Sequence, residues 1–253
     1  MNRKIAGILF LAAFCLAAVL PAAPALSAQS ESPGMLTEIL KKTEAFYQRT
    51  NALSADFRQI TSSAAGGALS KTEATGRLFY QKPRQMRWEY LSPEAQVFVA
   101  NQQLAWLYVP SERQMSMFDS KTLFASPLAQ TFFDGIVEVK KHFDVTLDSK
   151  QSTKATAVLK LKPREQDPNI KELLLWIDMT NYHISSIESH DALGNTNRIY
   201  MDSQNGLPSL DAKLFQLDIP PSTIVVDTDG RELTPSDIDK LKLKMGHPQD
   251  GQK

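Results

Sequence analysis

The chain changes its hydrophobic period early, and the change divides the first helix from the strands that follow. Leu36, Ile39, Leu40, Thr43, Phe46 and Tyr47 recur at three- and four-residue intervals, with Lys41, Lys42, Glu44 and Gln48 between them. That is one stripe on a helix, and it predicts an amphipathic helix over Met35–Arg49, ended by Thr50-Asn51. The period then drops to two. Leu53, Ala55 and Phe57 alternate with Ser54, Asp56 and Arg58, and Met86-Arg87-Trp88-Glu89-Tyr90 is the cleanest alternation in the chain. Further strands are predicted at 75–81, 95–100, 104–109 and 114–118, and again at 142–148, 155–162, 173–178, 184–190, 197–202 and 215–219. Thr61 to Ser70 reads as a loop, and turn residues such as Lys82-Pro83, Leu91-Ser92-Pro93 and Asn205-Gly206 separate the strands. Ser126-Pro127 pairs an N-cap with a first-turn proline, and Leu128, Phe132 and Phe133 then share a face. A short helix over Pro127–Phe133, stopped by Asp134-Gly135, is expected there. Many short strands on short turns predict an antiparallel meander, sandwich or barrel in a single continuous domain.

Both ends differ from this pattern. Asn2-Arg3-Lys4 opens a chain whose Ile5–Leu20 is wholly apolar, with Pro21, Pro24 and small residues following through Ala28. This is the plan of a secretory signal peptide over residues 1–28, cut after Ala25 or Ala28. The apolar run falls short of the ~20 residues of a membrane span. An uncleaved anchor is the other reading. Cys15 follows the bulky Phe14, and the apolar run continues past it to Leu20, so it does not read as a lipid-modified cysteine. The mature chain is expected to be exported, soluble and without a lipid anchor. Residues 227–253 are a polar extension, basic at Lys240, Lys242 and Lys244. Thr234-Pro235-Ser236-Asp237 could open a helix that ends near Met245-Gly246; a solvated tail is the alternative.

Composition removes several classes. With 28 Lys plus Arg against 28 Asp plus Glu, the chain is neither a polybasic nucleic-acid binder nor an acidic disordered protein. A single cysteine excludes an internal disulfide framework and cysteine-based metal sites. No nucleophile elbow, zinc-binding helix or phosphate-cradling glycine loop occurs. His183 and His190 lie near Glu188 and Asp191, where either a metal site or outward polar strand residues can be read. Lys82, Arg84 and Arg87 beside Trp88 could in principle stack on nucleic acid. No carboxylate spacing singles out an acid/base pair. Neither an enzyme nor a cofactor is expected.

What remains is apolar and bulky. Leu78 and Tyr80, Met86, Trp88 and Tyr90, Val97 and Val99, Trp106 and Tyr108, and Met115 and Met117 occupy alternate positions of successive strands. Leu128, Phe132 and Phe133 add the face of the short helix. A core built of valine, leucine and isoleucine would carry less methionine, tryptophan and tyrosine. Those residues suit a surface that re-packs around variable apolar ligands, and burying an acyl chain releases ~0.8 kcal/mol per methylene. An ordinary core is the competing reading of each residue taken singly.

Gly76-Arg77-Leu78-Phe79-Tyr80-Gln81-Lys82-Pro83, running on to Arg87-Trp88-Glu89-Tyr90 and Pro93, resembles the signature of the periplasmic lipoprotein carrier family, LolA. The resemblance continues through Gln96–Val99, Leu104–Pro110, the insert at Ser126–Phe133 and the closing Ala212–Asp227. It implies a mainly β, α+β fold: a half-open, unclosed antiparallel barrel with helices covering a concave apolar face, over residues 29–226. It also implies a monomer that takes acylated lipoproteins from an inner-membrane ABC transporter and passes them to an outer-membrane receptor. Lys82 stands where the family has an arginine that bonds the lid. Lysine keeps the charge but lacks the planar five-donor fork. Asn101-Gln102 replaces the family's Asp-Gly turn. A sensor of envelope lipids or lipoproteins on the same fold, or a carrier of another lipid, is the alternative.

Overall fold

The computed structural model describes residues 33–63, 70–124, 139–167 and 169–246. The expected leader, the helix at Pro127–Phe133 and the side chains of Leu128, Phe132 and Phe133 lie outside them. Helix α1 is Pro33–Arg49, two residues longer at its start than the periodicity predicts, with Ile39, Leu40 and Thr43 buried. Twelve strands follow: β1 Ala52–Ser63, β2 Ser70–Gln81, β3 Gln85–Ser92, β4 Gln96–Ala100, β5 Leu104–Val109, β6 Gln114–Asp119, β7 Phe143–Leu147, β8 Thr156–Pro163, β9 Glu172–Asp178, β10 Ile184–His190, β11 Thr196–Leu207 and β12 Ile224–Val226. Short helices α2, Ser120–Phe124, and α3, Val139–His142, flank the undescribed insert, and α4 is Pro235–Gly246.

The protein is mainly β. The strands hydrogen-bond in the order β12-β6-β5-β4-β3-β2-β1-β11-β10-β9-β8-β7, so the sheet ends at β12 and β7 without closing. Neighbours from β2 to β6 and from β7 to β11 are antiparallel where their registers are defined, whereas β12 joins β6 in parallel.

Contacts divide the chain into two compact units, one from Met1–Phe46, Ile60–Thr72 and Val139–Tyr200, the other from Tyr47–Gln59, Glu73–Glu138 and Met201–Lys253. Strands β1, β2 and β11 each supply residues to both units, which is why no linker composition marks a boundary. The first unit is built on β7 to β10. Ala157, Val158 and Leu159 of β8 and Leu173, Leu174 and Leu175 of β9 are buried in succession, so these strands are covered on both faces. The second unit carries β3 to β6 with the chain from Met201 onward.

Three stretches differ from the sequence pattern. Thr61–Ser63 continues β1 and Ser70 already opens β2, leaving only 64–69 of the expected loop undescribed. Asn205-Gly206 reads as a turn but lies inside β11, where Ser203 takes the left-handed conformation (φ 50°) and Asn205 bonds its carbonyl. The strand expected at 215–219 is absent. Asp211 instead caps a 3-10 turn over Ala212–Phe215 by accepting from the Lys213 amide, and Phe215 is buried with Leu217 and Ile219 packed against the same cluster.

The C-terminal extension contains helix α4. Thr234 and Asp237 form a capping box: the Thr234 hydroxyl accepts from the Asp237 amide at 3.2 Å, and the Asp237 carboxylate accepts from the Thr234 amide at 3.1 Å. The Thr234 hydroxyl also donates to that carboxylate at 2.8 Å, and this bond with the Thr234 amide holds the Asp237 carboxyl below the usual carboxylate range. The cap is therefore intact at neutral pH and weakens only as pH falls through that lowered value. Thr234→Ala is expected to speed amide exchange at Asp237 and Ile238 about fivefold.

Candidate functional site: two faces of one strand series

Cross-strand register decides which of the expected lining residues share a face. Leu78 pairs with Trp88, and Tyr80 with Met86. Met86 pairs with Ala100, Trp88 with Phe98, and Tyr90 with Gln96. Ala100 pairs with Ala105, and Ala105 with Phe118. Directly opposed residues point the same way. Leu78, Tyr80, Met86, Trp88 and Tyr90 therefore lie together with Phe98 and Phe118 on what we term the aromatic face. Phe79, Val97, Val99, Trp106, Tyr108, Met115 and Met117 lie on the other: Arg87 pairs with Val99, Val99 with Trp106, and Trp106 with Met117.

The second face is sealed. Val99, Trp106, Met115 and Met117 are at most 3% exposed and form one cluster with Phe215, Val225 and Leu233. Ile238 and Leu241 of α4 pack against the same cluster, with Val97 and Tyr108 at its margin. Polar bonds fix this cover. Arg87 donates to the Leu214 carbonyl at 3.2 Å while its Nε lies 2.7 Å from Glu89, and Asn101 donates to the Phe215 carbonyl at 3.1 Å. Asn101 also accepts from the amides of Gln103 and Leu104, so its side chain supplies the turn without glycine. Arg87 thus lies on the opposite face from Trp88 and is paired with Glu89, so it does not flank that ring as a nucleic-acid platform would require.

The aromatic face is less covered. Tyr80, Met86, Trp88, Tyr90 and Phe98 are half-buried, although Leu78, Ala100 and Ala105 beneath them are buried. Sequence reasoning missed Phe57 of β1. Its ring stands edge-on to Trp88 at 4.9 Å and to Tyr90 at 5.0 Å between centroids. It also missed Phe98, since the notable pair in β4 was Val97 and Val99. Leu123 of α2 packs with Tyr80, Met86, Phe98 and Phe118 around Ala100 and Ala105, so the helix leading into the insert touches this face. The Tyr90 hydroxyl donates to Gln59 Oε1 at 2.8 Å, and burial pushes its pKa up to about 12, so it stays protonated.

Lys82 binds the end of α1. Its ammonium donates to the carbonyls of Tyr47 at 2.7 Å and Gln48 at 3.0 Å, and burial lowers its pKa. A cation at the last carbonyls of a helix satisfies acceptors that have no partner within it. Lys82→Met is expected to fray the last turn of α1, read as about tenfold faster amide exchange there. Elsewhere, His190 Nε2 lies 2.5 Å from Glu188, and the His183 ring faces Phe46 with its pKa lowered by burial. Among the described residues no three His, Cys, Asp or Glu side chains converge as a metal site would require.

The family model described as outer membrane lipoprotein carrier protein LolA matches residues 48–218, most of the chain. The chain belongs to the LolA family. The outer-membrane lipoprotein carrier protein of Methylobacillus flagellatus is 26% identical over 188 residues, 74% of this chain and 88% of that one. That of Chromobacterium violaceum is 27% identical over 208 residues, 82% and 96% of the two chains. Among solved structures, an uncharacterized conserved protein from Thermus thermophilus superposes with a TM-score of 0.50 at 14% identity, covering 76% of this chain and 99% of that one. It supports the fold alone. The LolA match ends before α4, which lies beyond the matched residues.

Proposed function

We propose that this LolA-family chain is a periplasmic carrier that holds the acyl chains of lipoproteins on its aromatic face. The observation that carries the reading is the half-buried set Tyr80, Met86, Trp88, Tyr90 and Phe98, aligned by register on one face while the opposite face is sealed by the chain's own C-terminal segment. On the opposite face Val99, Trp106, Met115 and Met117 are already enclosed by Phe215, Leu233, Ile238 and Leu241. The aromatic face is less covered, and aromatic and methionine side chains adapt to chains of different length. Leu128, Phe132 and Phe133 of the insert complete the site in this reading, while Lys82, expected as a latch on the lid, holds the end of α1. Val97, Val99, Trp106, Tyr108, Met115 and Met117 serve instead to pack the C-terminal segment.

Such a carrier needs no catalysis. Each buried methylene adds ~0.8 kcal/mol, so a face that enclosed whole acyl chains would not release them. Partial cover keeps affinity intermediate. Cargo then passes down a gradient of apolar sites, from the inner-membrane ABC transporter to the outer-membrane receptor, in the periplasm after removal of the leader.

Titration with a fluorescent palmitoyl probe tests the reading. Trp88→Asp and Phe132→Asp are each expected to weaken binding more than tenfold, since a carboxylate must be desolvated against the acyl chain. Wild-type affinity in both variants would overturn the assignment.

A further inference from the structure

The aromatic face ends in a polar group that the carrier reading leaves without a role. Gln96 pairs directly with Tyr90 across β3 and β4, and Tyr90 bonds Gln59 of β1. Between them β2 contributes Gly76, which pairs with Tyr90 and whose missing side chain admits the Phe57 ring. Gln59, Tyr90 and Gln96 thus share one end of the face, beside Phe57 and Trp88.

The hydrogen bonding there is unbalanced. Tyr90 has one proton, and it goes to Gln59, so the phenol oxygen presents lone pairs to the rest of the site. The side-chain carbonyl of Gln96 is buried and accepts no hydrogen bond from any described residue. Tyr90 and Gln96 are directly opposed across β3 and β4, and the Gln96 acceptor is unanswered. A buried acceptor without a donor carries its full desolvation cost, and folded proteins keep few of them. The Gln96 carbonyl lacks a donor, and a ligand can bring one.

We propose that Gln96 and Tyr90 form a polar subsite of the acyl-binding face that accepts the neutral N–H of an amide-linked acyl chain. The proposal rests on the carrier reading and specifies the cargo's linkage. An ester-linked chain offers only acceptors and would leave Gln96 unpaired. A free carboxylate or phosphate would meet two oxygens and no cation. An N-acylated headgroup places a donor at the first atom beyond the acyl carbonyl, with the hydrocarbon free to run along Trp88 and Met86. Tyr90 remains neutral across the accessible pH range because burial raises its pKa to about 12, so the subsite does not switch with acidity.

Two fluorescent palmitoyl probes of equal chain length, one joined through an amide and one through an ester, test this on the intact protein. Wild type is expected to bind the amide about tenfold more tightly, the discrimination that one unanswered buried acceptor supplies. Gln96→Leu should bring the ratio near one by weakening the amide probe alone. It should also raise the melting temperature by a few degrees, because the unpaired acceptor is gone. Tyr90→Phe should reduce the ratio without removing the aromatic surface. Equal binding of the two probes by wild type would overturn the subsite and leave the carrier reading standing. So would an equal loss of both probes in Gln96→Leu. Failure of both probes to bind wild type would overturn the carrier reading and the subsite together.

Discussion

Trp106→Ala is expected to cost about 4 kcal/mol of folding stability, within the range for removing a fully enclosed aromatic side chain. Trp106 is 3% exposed among Val99, Met115, Met117 and Phe215, and strand neighbours on either side prevent the backbone from closing the cavity. Trp88, two strands away, is only half-buried, so Trp88→Ala should cost much less. The two tryptophans thus separate the faces. In urea, Trp106→Ala should lower the midpoint with an unchanged slope, and the protein that remains folded should bind a palmitoyl probe normally. Trp88→Ala should keep a midpoint near wild type and bind the probe poorly. The opposite result, a stable Trp106→Ala that has lost the probe, would exchange the roles of the faces.

That separation was only half legible in the sequence. Within a strand, alternation identifies partners without structure: Met86, Trp88 and Tyr90 must share a side, and so must Trp106 and Tyr108. Between strands, alternation is silent, because a slip of one residue moves a whole set to the other face. Here the ambiguity was strongest in β5, where Leu104–Val109 is apolar at every position. A sheet apolar on both sides gives no polar stripe to fix parity. Ala100 and Ala105 were the available signal: small residues opposed across a turn leave room for large ones beside them, and register places Met86 and Phe118 there.

Other elements were read from local chemistry and survive because that chemistry is local. Helix α1 follows from its stripe, and the start of α4 from Thr234 and Asp237. The missing strand at 215–219 had the opposite cause. Its alternation of Phe215, Leu217 and Ile219 is real, and all three side chains pack toward the sealed cluster. Pro220-Pro221 provides no backbone donors, however, and Asp211 ties the preceding turn, so the segment lies on the sheet rather than in it. Gln59 and Gln96 could not have been singled out. Two glutamines in alternating strands are unremarkable until register sets one beside Tyr90 and the other against its hydroxyl.

Gly76→Val should be the most damaging single change on the aromatic face, at about 3 kcal/mol or more. Gly76 sits in the interior of β2, where glycine ordinarily weakens a strand, so its presence calls for a spatial reason. A β-carbon there would come within 2.0 Å of the Glu89 carbonyl oxygen and 2.7 Å of the Phe57 ring. The first atom belongs to the neighbouring strand's backbone and moves only if the β2–β3 pairing opens. The second belongs to the ring that braces both Trp88 and Tyr90. Even Gly76→Ala should displace Phe57, and valine adds two methyl groups to a space that cannot hold one carbon. The expected result is a large loss of thermal stability together with weaker acyl binding, since the ring that orders Trp88 is displaced. Pairing Gly76→Ala with Phe57→Leu, which withdraws the ring edge, should restore part of the binding but less of the stability, because the Glu89 carbonyl is still in the way. Full recovery of stability in that double variant would locate the clash at Phe57 alone. A Gly76→Val protein as stable as wild type would show that β2 and β3 do not approach as closely as the structure has them.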